Sequence, residues 1–186
     1  MRLNDLVDEM AEGLNRLPPR RRAAVFWLVG TGLRSGLDPA EDAEWGGWFD
    51  EASRLSVGYI IDGWVSPDAE AVWARGCAPT GKDASQQLES AIVTLCAPLD
   101  IAMNPQVNAG PWLVHALFPV VQKVSLELFD DVAFPDDEDL DDVCADRRVR
   151  AAGDYCLSVC ETLRSIRELD QRVLEGLLKG ASALNG

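Results

Sequence analysis

Residues 18–35 read PPRRRAAVFWLVGTGLRS and carry the strongest signal for the architecture of this chain. Positions 23–29 are all apolar, so a helix here is hydrophobic on every side and belongs in the interior. The two prolines suit the start of a helix, because the first turn does not need their missing N–H groups. The stretch therefore predicts a buried central helix over about residues 19–35.

Three arginines, Arg20, Arg21 and Arg22, occupy the first turn of this predicted helix. The amino terminus of a helix carries partial positive charge, which disfavours cations there. We therefore expect carboxylates to face these side chains. The acidic segment described below is one candidate.

The remaining helices are predicted from apolar residues recurring at spacings of three and four. These patterns cover about residues 3–16, 39–59, 66–75, 84–97, 111–128 and 149–177. Residues 56–65 could instead form a strand, and Pro119 should kink its helix near residues 117–118. The sum is an all-α fold, with residues 1–186 forming a single-domain bundle of about seven helices and a long C-terminal helix.

The acidic segment, residues 129–146, reads FDDVAFPDDEDLDDVCAD. It holds nine Asp and Glu side chains and no Lys or Arg, in a chain whose formal net charge is −14. Like charges at this density repel one another and favour contact with water or with a positive partner. We expect an acidic loop and helix start over residues 130–146.

The bulk composition restricts the classes of partner. A pI near 4.4 argues against nucleic acid and against anionic membranes, since both require a basic face. The first residues have acids where a signal peptide would be apolar, and no apolar run reaches the ~20 residues of a membrane span. Five cysteines, an odd number, then indicate reduced thiols in a cytoplasmic protein.

Three interpretations of the acidic segment stay open. It could bind a divalent cation, although it lacks the central Gly and closing Glu of an EF-hand loop, and Leu140 interrupts a DDxxD motif that would begin at Asp136. It could be a solvated loop that caps the last helix. It could be a docking surface for a basic partner.

No other residue pattern predicts a catalytic group, a metal site or a cofactor. Cys156 and Cys160 lie one helical turn apart, and the apolar stripe favours core cysteines over zinc ligands. His115, the only histidine, is more typical of a satisfied structural residue than of a general base. Glycine pairs at positions 30/32 and 46/47 lie inside helical patterns without a phosphate-loop lysine, so they predict close helix packing.

Six tryptophans are unusual for a chain of this size. Most are expected in the core, but an exposed Trp beside an acidic rim would be typical of an interface hot spot. We take Trp45 and Trp48 as candidates, and a hydrophobic ligand pocket between helices as the competing use.

Two segments carry a resemblance: LNRLPPRRRAAVF at residues 14–26, and FPDDEDLDD at residues 134–142 before the last helix. A small, acidic, all-helical chain with these features resembles the acidic helical immunity proteins that bacteria pair with secreted toxins. The same two segments resemble an uncharacterised all-helical bacterial family. The first resemblance implies a non-enzymatic protein that neutralises a basic toxin domain.

The functional hypothesis is therefore a protein-binding module with an acidic partner-binding surface. The residues assigned to this surface are Asp136, Asp137, Glu138, Asp139, Asp141, Asp142, Trp45 and Trp48. The alternatives are a Mg²⁺-dependent helical enzyme with carboxylate ligands, or a regulatory or scaffold subunit that could form a homo-oligomer through its last helix.

Overall fold

A computed structural model describes residues 3–81, 84–129 and 140–186, and in these ranges the chain is helical without strands. The all-α class predicted from the sequence is confirmed. The described residues form nine α-helices and two 3₁₀ helices, more than the seven helices predicted. The α-helices are α1 (Leu3–Asn15), α2 (Pro19–Arg34), α3 (Pro39–Asp62), α4 (Ala69–Gly76), α5 (Gln86–Met103), α6 (Phe118–Leu128), α7 (Leu140–Ala145), α8 (Arg147–Ser165) and α9 (Gln171–Leu178), and the 3₁₀ helices are Gly110–Ala116 and Ala181–Asn185.

Helix α2 is the buried centre of the bundle, as its all-round apolar sequence predicts. Ten of its sixteen residues are buried, and α5 is the helix against which it packs most extensively. Gly30 permits this approach, since a Cβ atom at that position would lie 2.5 Å from Cγ of Leu95. Gly32 similarly lets the last 3₁₀ helix approach α2, because a Cβ atom at Gly32 would lie 2.6 Å from the Cβ atom of Ala181.

The second glycine pair does not serve close packing, so that part of the prediction is wrong. A Cβ atom at Gly47 would have no neighbour within 4 Å. A Cβ atom at Gly46 would meet only Arg34, at an ordinary contact distance of 3.7 Å.

The three arginines of α2 bind backbone carbonyls instead of the expected carboxylates. Arg20 donates to the carbonyl oxygens of Ile60 and Ile61. Arg21 donates to those of Arg164, Ile166 and Arg167. Arg22 donates to those of Pro105 and Val107. These carbonyls belong to the end of α3, the end of α8 and the loop after α5. The last carbonyls of a helix lack intrahelical donors and carry partial negative charge, so they can satisfy a guanidinium group. We call Arg20, Arg21 and Arg22 the arginine cluster.

Two predicted helix limits are corrected. Helix α5 continues through Pro98 to Met103, although the sequence suggested an end at residue 97. The long C-terminal helix is divided into α8 and α9, because residues 166–170 leave the helical conformation and Asp170 caps α9 through a 2.9 Å bond from the N–H of Val173. The single helix predicted over about residues 111–128, with a kink near Pro119, is instead divided into the 3₁₀ helix Gly110–Ala116 and α6.

One continuous cluster of buried hydrophobic side chains holds the bundle together and draws members from all nine α-helices. The strand alternative for residues 56–65 is wrong, because α3 extends to Asp62 and ends at Gly63, whose φ of 72° suits a residue without a Cβ atom. No helix within the described ranges has both the length and the apolar character required to cross a membrane.

Candidate functional site

The acidic segment falls partly outside the described ranges. Asp136, Asp137, Glu138 and Asp139 belong to residues 130–139, of which nothing is described. Asp141 and Asp142 are described and lie exposed in the first turn of α7. Neither forms an ion pair with an Arg or Lys of the described part of the chain.

Helix α7 is short but firmly attached to the bundle. Val143 and Cys144 are buried, so one side of this six-residue helix lies in the core while Asp141 and Asp142 face water. Burial raises the pKa of the Cys144 thiol, and the nearby charge of Asp141 raises it further. The two exposed carboxylates are therefore held on an ordered element that packs on α1, α6 and α8.

Arg148 joins the two helices that flank the acidic segment. Its guanidinium group donates two hydrogen bonds to the carboxylate of Glu127 on α6, at 3.0 and 2.6 Å. It also donates to Asp146, at 3.1 Å from Nε and 3.0 Å from Nη2. Bidentate geometry of this kind makes an ion pair more directional, and hydrogen bonds from Arg148 are the main cause that lowers the pKa of both carboxyl groups.

Asp146 has a second, structural role. Its side chain accepts a 2.7 Å hydrogen bond from the N–H of Arg148 and so caps α8. One of the nine acidic residues thus serves the capping function that the sequence offered as an alternative. Asp141 and Asp142 do not cap α8.

Two exposed leucines lie on α6, which contacts the acidic helix α7, and they were not predicted as surface residues. Leu126 and Leu128, at the end of α6, are 42% and 51% exposed. Leu128 belongs to the apolar spacing that predicts the helix over about residues 111–128, which suggested an inward position, and that part of the prediction is wrong. Since α6 contacts α7, these leucines and the two aspartates lie on adjacent helices, and we call Leu126, Leu128, Asp141 and Asp142 the α6–α7 patch.

Trp45 and Trp48 do not share the surroundings of the acidic helix. Their helix, α3, packs mainly on α2, α4 and α5. Trp48 is buried, and its indole N–H donates a 2.9 Å hydrogen bond to the carbonyl of Val72. Trp45 is partly buried and packs edge-on against Trp48, with 5.9 Å between ring centroids. The exposed tryptophan of this region is Trp64, at 50%.

The cysteines and the histidine have the following surroundings. Cys156 and Cys160 are buried in the core, as predicted, and burial is the main cause that raises the pKa of both thiols.

His115 was expected to have its hydrogen bonds satisfied, but its Nδ1 atom is buried without a hydrogen-bond partner. Within the described residues, no group of three or more His, Cys, Asp or Glu side chains is arranged to hold a metal ion.

Comparison with known proteins bears on the architecture. No protein-family model matches this chain, and no curated protein sequence matches it significantly. The chain is similar to the solved structure of a DUF416 family protein from Shewanella baltica OS155, with a TM-score of 0.65 and 17% identity over 92% of each chain. At this level of identity the similarity concerns the fold alone.

Proposed function

We propose that this protein is a binding module that presents the acidic segment to a basic protein, most concretely as a bacterial immunity protein that neutralises a toxin domain. The observation that carries the proposal is the exposure of Asp141 and Asp142 without a cationic partner among the described residues. The remaining acids of the surface, Asp136, Asp137, Glu138 and Asp139, continue the same segment.

The distribution of positive charge supports this proposal. The arginine cluster donates to backbone carbonyls, and among the described residues no ion pair joins it to Asp141 or Asp142. Arg148 follows the acidic segment closely in sequence. It forms ion pairs with Glu127 and Asp146. Exposed carboxylates attract a basic partner over distances comparable with the Debye length and increase the rate of association.

The α6–α7 patch supplies the apolar component that a protein interface needs. Buried apolar contacts at the centre of an interface account for most of its affinity, while charged groups at the rim affect the association rate. Leu126 and Leu128 offer exposed apolar area on α6, the helix that contacts α7. In this proposal they replace Trp45 and Trp48 as the hydrophobic contacts.

Charge reversal at the patch tests the proposal. A partner captured from the native cell would be purified, and its association with the wild type and with Asp141→Lys/Asp142→Lys would be measured by surface plasmon resonance at several salt concentrations. We expect reversal to reduce the association rate constant roughly tenfold at low salt and to reduce its salt dependence. Leu128→Ser should mainly increase the dissociation rate.

The matched control is Glu44→Lys/Asp154→Lys, which changes the net charge equally at exposed positions of α3 and α8. An association rate that ignores both salt and the α7 reversal would refute the electrostatic mechanism. The immunity assignment requires, in addition, that the captured partner inhibits growth and that co-expression of this chain restores it. Heat released on titration with Mg²⁺ would instead favour the carboxylate enzyme, and self-association in sedimentation would favour the scaffold subunit.

A further inference from the structure

A second candidate site lies on other elements of the bundle. A pocket of about 390 Å³ opens between α4, the loop that follows it, α5 and the first 3₁₀ helix. This volume falls within the range of small-molecule sites in proteins. The pocket walls are mainly apolar, with Trp73, Ile92, Val93, Ala97 and Trp112 among them.

Two tryptophans provide the aromatic walls of this pocket. Trp73 and Trp112 are both partly buried, so each ring keeps a surface that a ligand can contact. The ring of Trp112 packs edge-on against Phe26 of the central helix, with 6.4 Å between centroids. The faces of indole rings attract cations through their electron-rich π-systems.

The charged group of the pocket is a carboxylate. Glu89, in the first turn of α5, accepts a 3.3 Å hydrogen bond from the hydroxyl of Thr80. No Lys or Arg is among the described residues that line the pocket. His115 does not add positive charge at neutral pH, because burial lowers the pKa of its imidazole, although Glu89 partly opposes this shift. An anionic ligand would therefore meet repulsion here, and a cationic one attraction.

We propose that this pocket binds a small aromatic or aliphatic molecule that carries an ammonium group, with the apolar part between Trp73 and Trp112 and the cation at Glu89. The proposal is independent of the proposed protein-binding function, because none of its residues belongs to the α6–α7 patch.

Three probes of similar size and different charge test the ligand class: tryptamine, 3-ethylindole and indole-3-acetate. Isothermal titration at about 150 mM NaCl screens long-range attraction to the acidic chain. We expect tryptamine to bind one site with Kd of about 0.1–1 mM, as for a good fragment of this size. It should bind at least about tenfold more tightly than indole-3-acetate, since that difference corresponds to a modest charge interaction.

Cys77 provides an independent readout of pocket occupancy. It lines the pocket and is the only exposed cysteine of the five, the other four being buried. Saturating tryptamine should therefore slow alkylation of Cys77 by iodoacetamide several-fold, as followed by mass spectrometry. Unchanged alkylation together with no heat from any of the three probes would refute the site.

Glu89→Gln separates the ligand class from the pocket itself. Because Glu89 is exposed, the variant should fold normally, which circular dichroism would check. It should lose the preference for tryptamine over indole-3-acetate, whereas Glu44→Gln, an exposed acid that does not line the pocket, should keep it. Equal binding of all three probes, or a preference that survives Glu89→Gln, would refute the ammonium assignment.

Discussion

The arginine cluster shows how single side chains can join distant parts of a helical chain. Each guanidinium group has several N–H donors in a planar arrangement and therefore reaches more than one carbonyl oxygen. Arg21 binds carbonyls at the end of α8, which lie more than 140 positions later in the sequence. The ends of α3 and α8, which Arg20 and Arg21 reach, would otherwise leave their last carbonyls without donors.

Arg21→Ala should destabilise the protein by about 1–3 kcal/mol, the range for hydrogen bonds to a charged donor. Arg21→Lys should restore only part of this loss, because one ammonium group cannot reproduce the planar set of donors. The free energy of unfolding would be measured by urea denaturation. Arg172→Ala, at an exposed position of α9, is the control and should change stability by less than about 0.5 kcal/mol.

Full stability in Arg21→Lys would show that charge alone suffices and would contradict the importance of the planar donors. The role of these arginines could not be predicted from sequence, since only local features of α2 are visible there. The helix dipole argument correctly required negative partners, but carbonyl oxygens at helix ends meet that requirement as well as carboxylates do. Which helix ends approach α2 depends on the tertiary structure.

At the scale of elements, two glycines offer a matched test of helix packing. Gly30→Ala places a methyl group against Leu95 at the contact between α2 and α5, and overpacking there should cost about 1–3 kcal/mol. Gly47→Ala has open space around the new methyl group, so it should stabilise the protein by about 0.5–1 kcal/mol through the better helix propensity of alanine. Thermal and urea denaturation would measure both changes.

The opposite signs make this pair informative, because both substitutions add the same methyl group inside a helix. If both variants were stabilised, α2 and α5 would not be in close contact at Gly30. If both were destabilised, α3 would be packed on a side that the structure shows as open.

Helix positions were predictable where apolar spacing is regular, as in α8, or where a run is apolar on every side, as in α2. Two helix boundaries, the end of α5 and the division between α8 and α9, could not be predicted in this way. Pro98 is usually a reason to end a helix, but α5 is buried on both sides of it, and tertiary packing outweighs the loss of one backbone hydrogen bond. Asp170 interrupts the last apolar pattern, and its ability to cap a new helix was a signal that the continuing 3–4 spacing obscured.

The candidate site was predictable in part. The acidic composition of residues 130–146 is evident from sequence, and Asp141 and Asp142 are exposed in the structure. The exposed leucines of α6 were missed because a helical stripe does not reveal where the core ends. The aromatic pocket was anticipated only in general terms, since its walls come from residues far apart in the chain.

For the whole molecule, the net charge of −14 makes self-repulsion a measurable part of stability. We expect the melting temperature to rise by several degrees between about 10 and 200 mM NaCl, because the Debye length falls from roughly 30 Å to below 10 Å. Differential scanning calorimetry would record this change. Asp141→Asn/Asp142→Asn should reduce the salt dependence, since it removes two like charges from a dense group.

A melting temperature that falls with salt would show that attractive pairs, such as those of Arg148, dominate the electrostatics of the folded state. Similar results in NaCl and KCl would confirm that screening, and not a specific ion, is responsible.

The long reach of Arg21 also limits when the protein can finish folding during synthesis. Its acceptors are residues 164, 166 and 167 of a 186-residue chain. While the residues after α7 are still inside the ribosome, the early helices can form. Arg21, at the amino-terminal end of α2, then still lacks its carbonyl acceptors. Closure of that end therefore waits until residues 164–167 have left the ribosome, and translation products that stop before them should depend on chaperones.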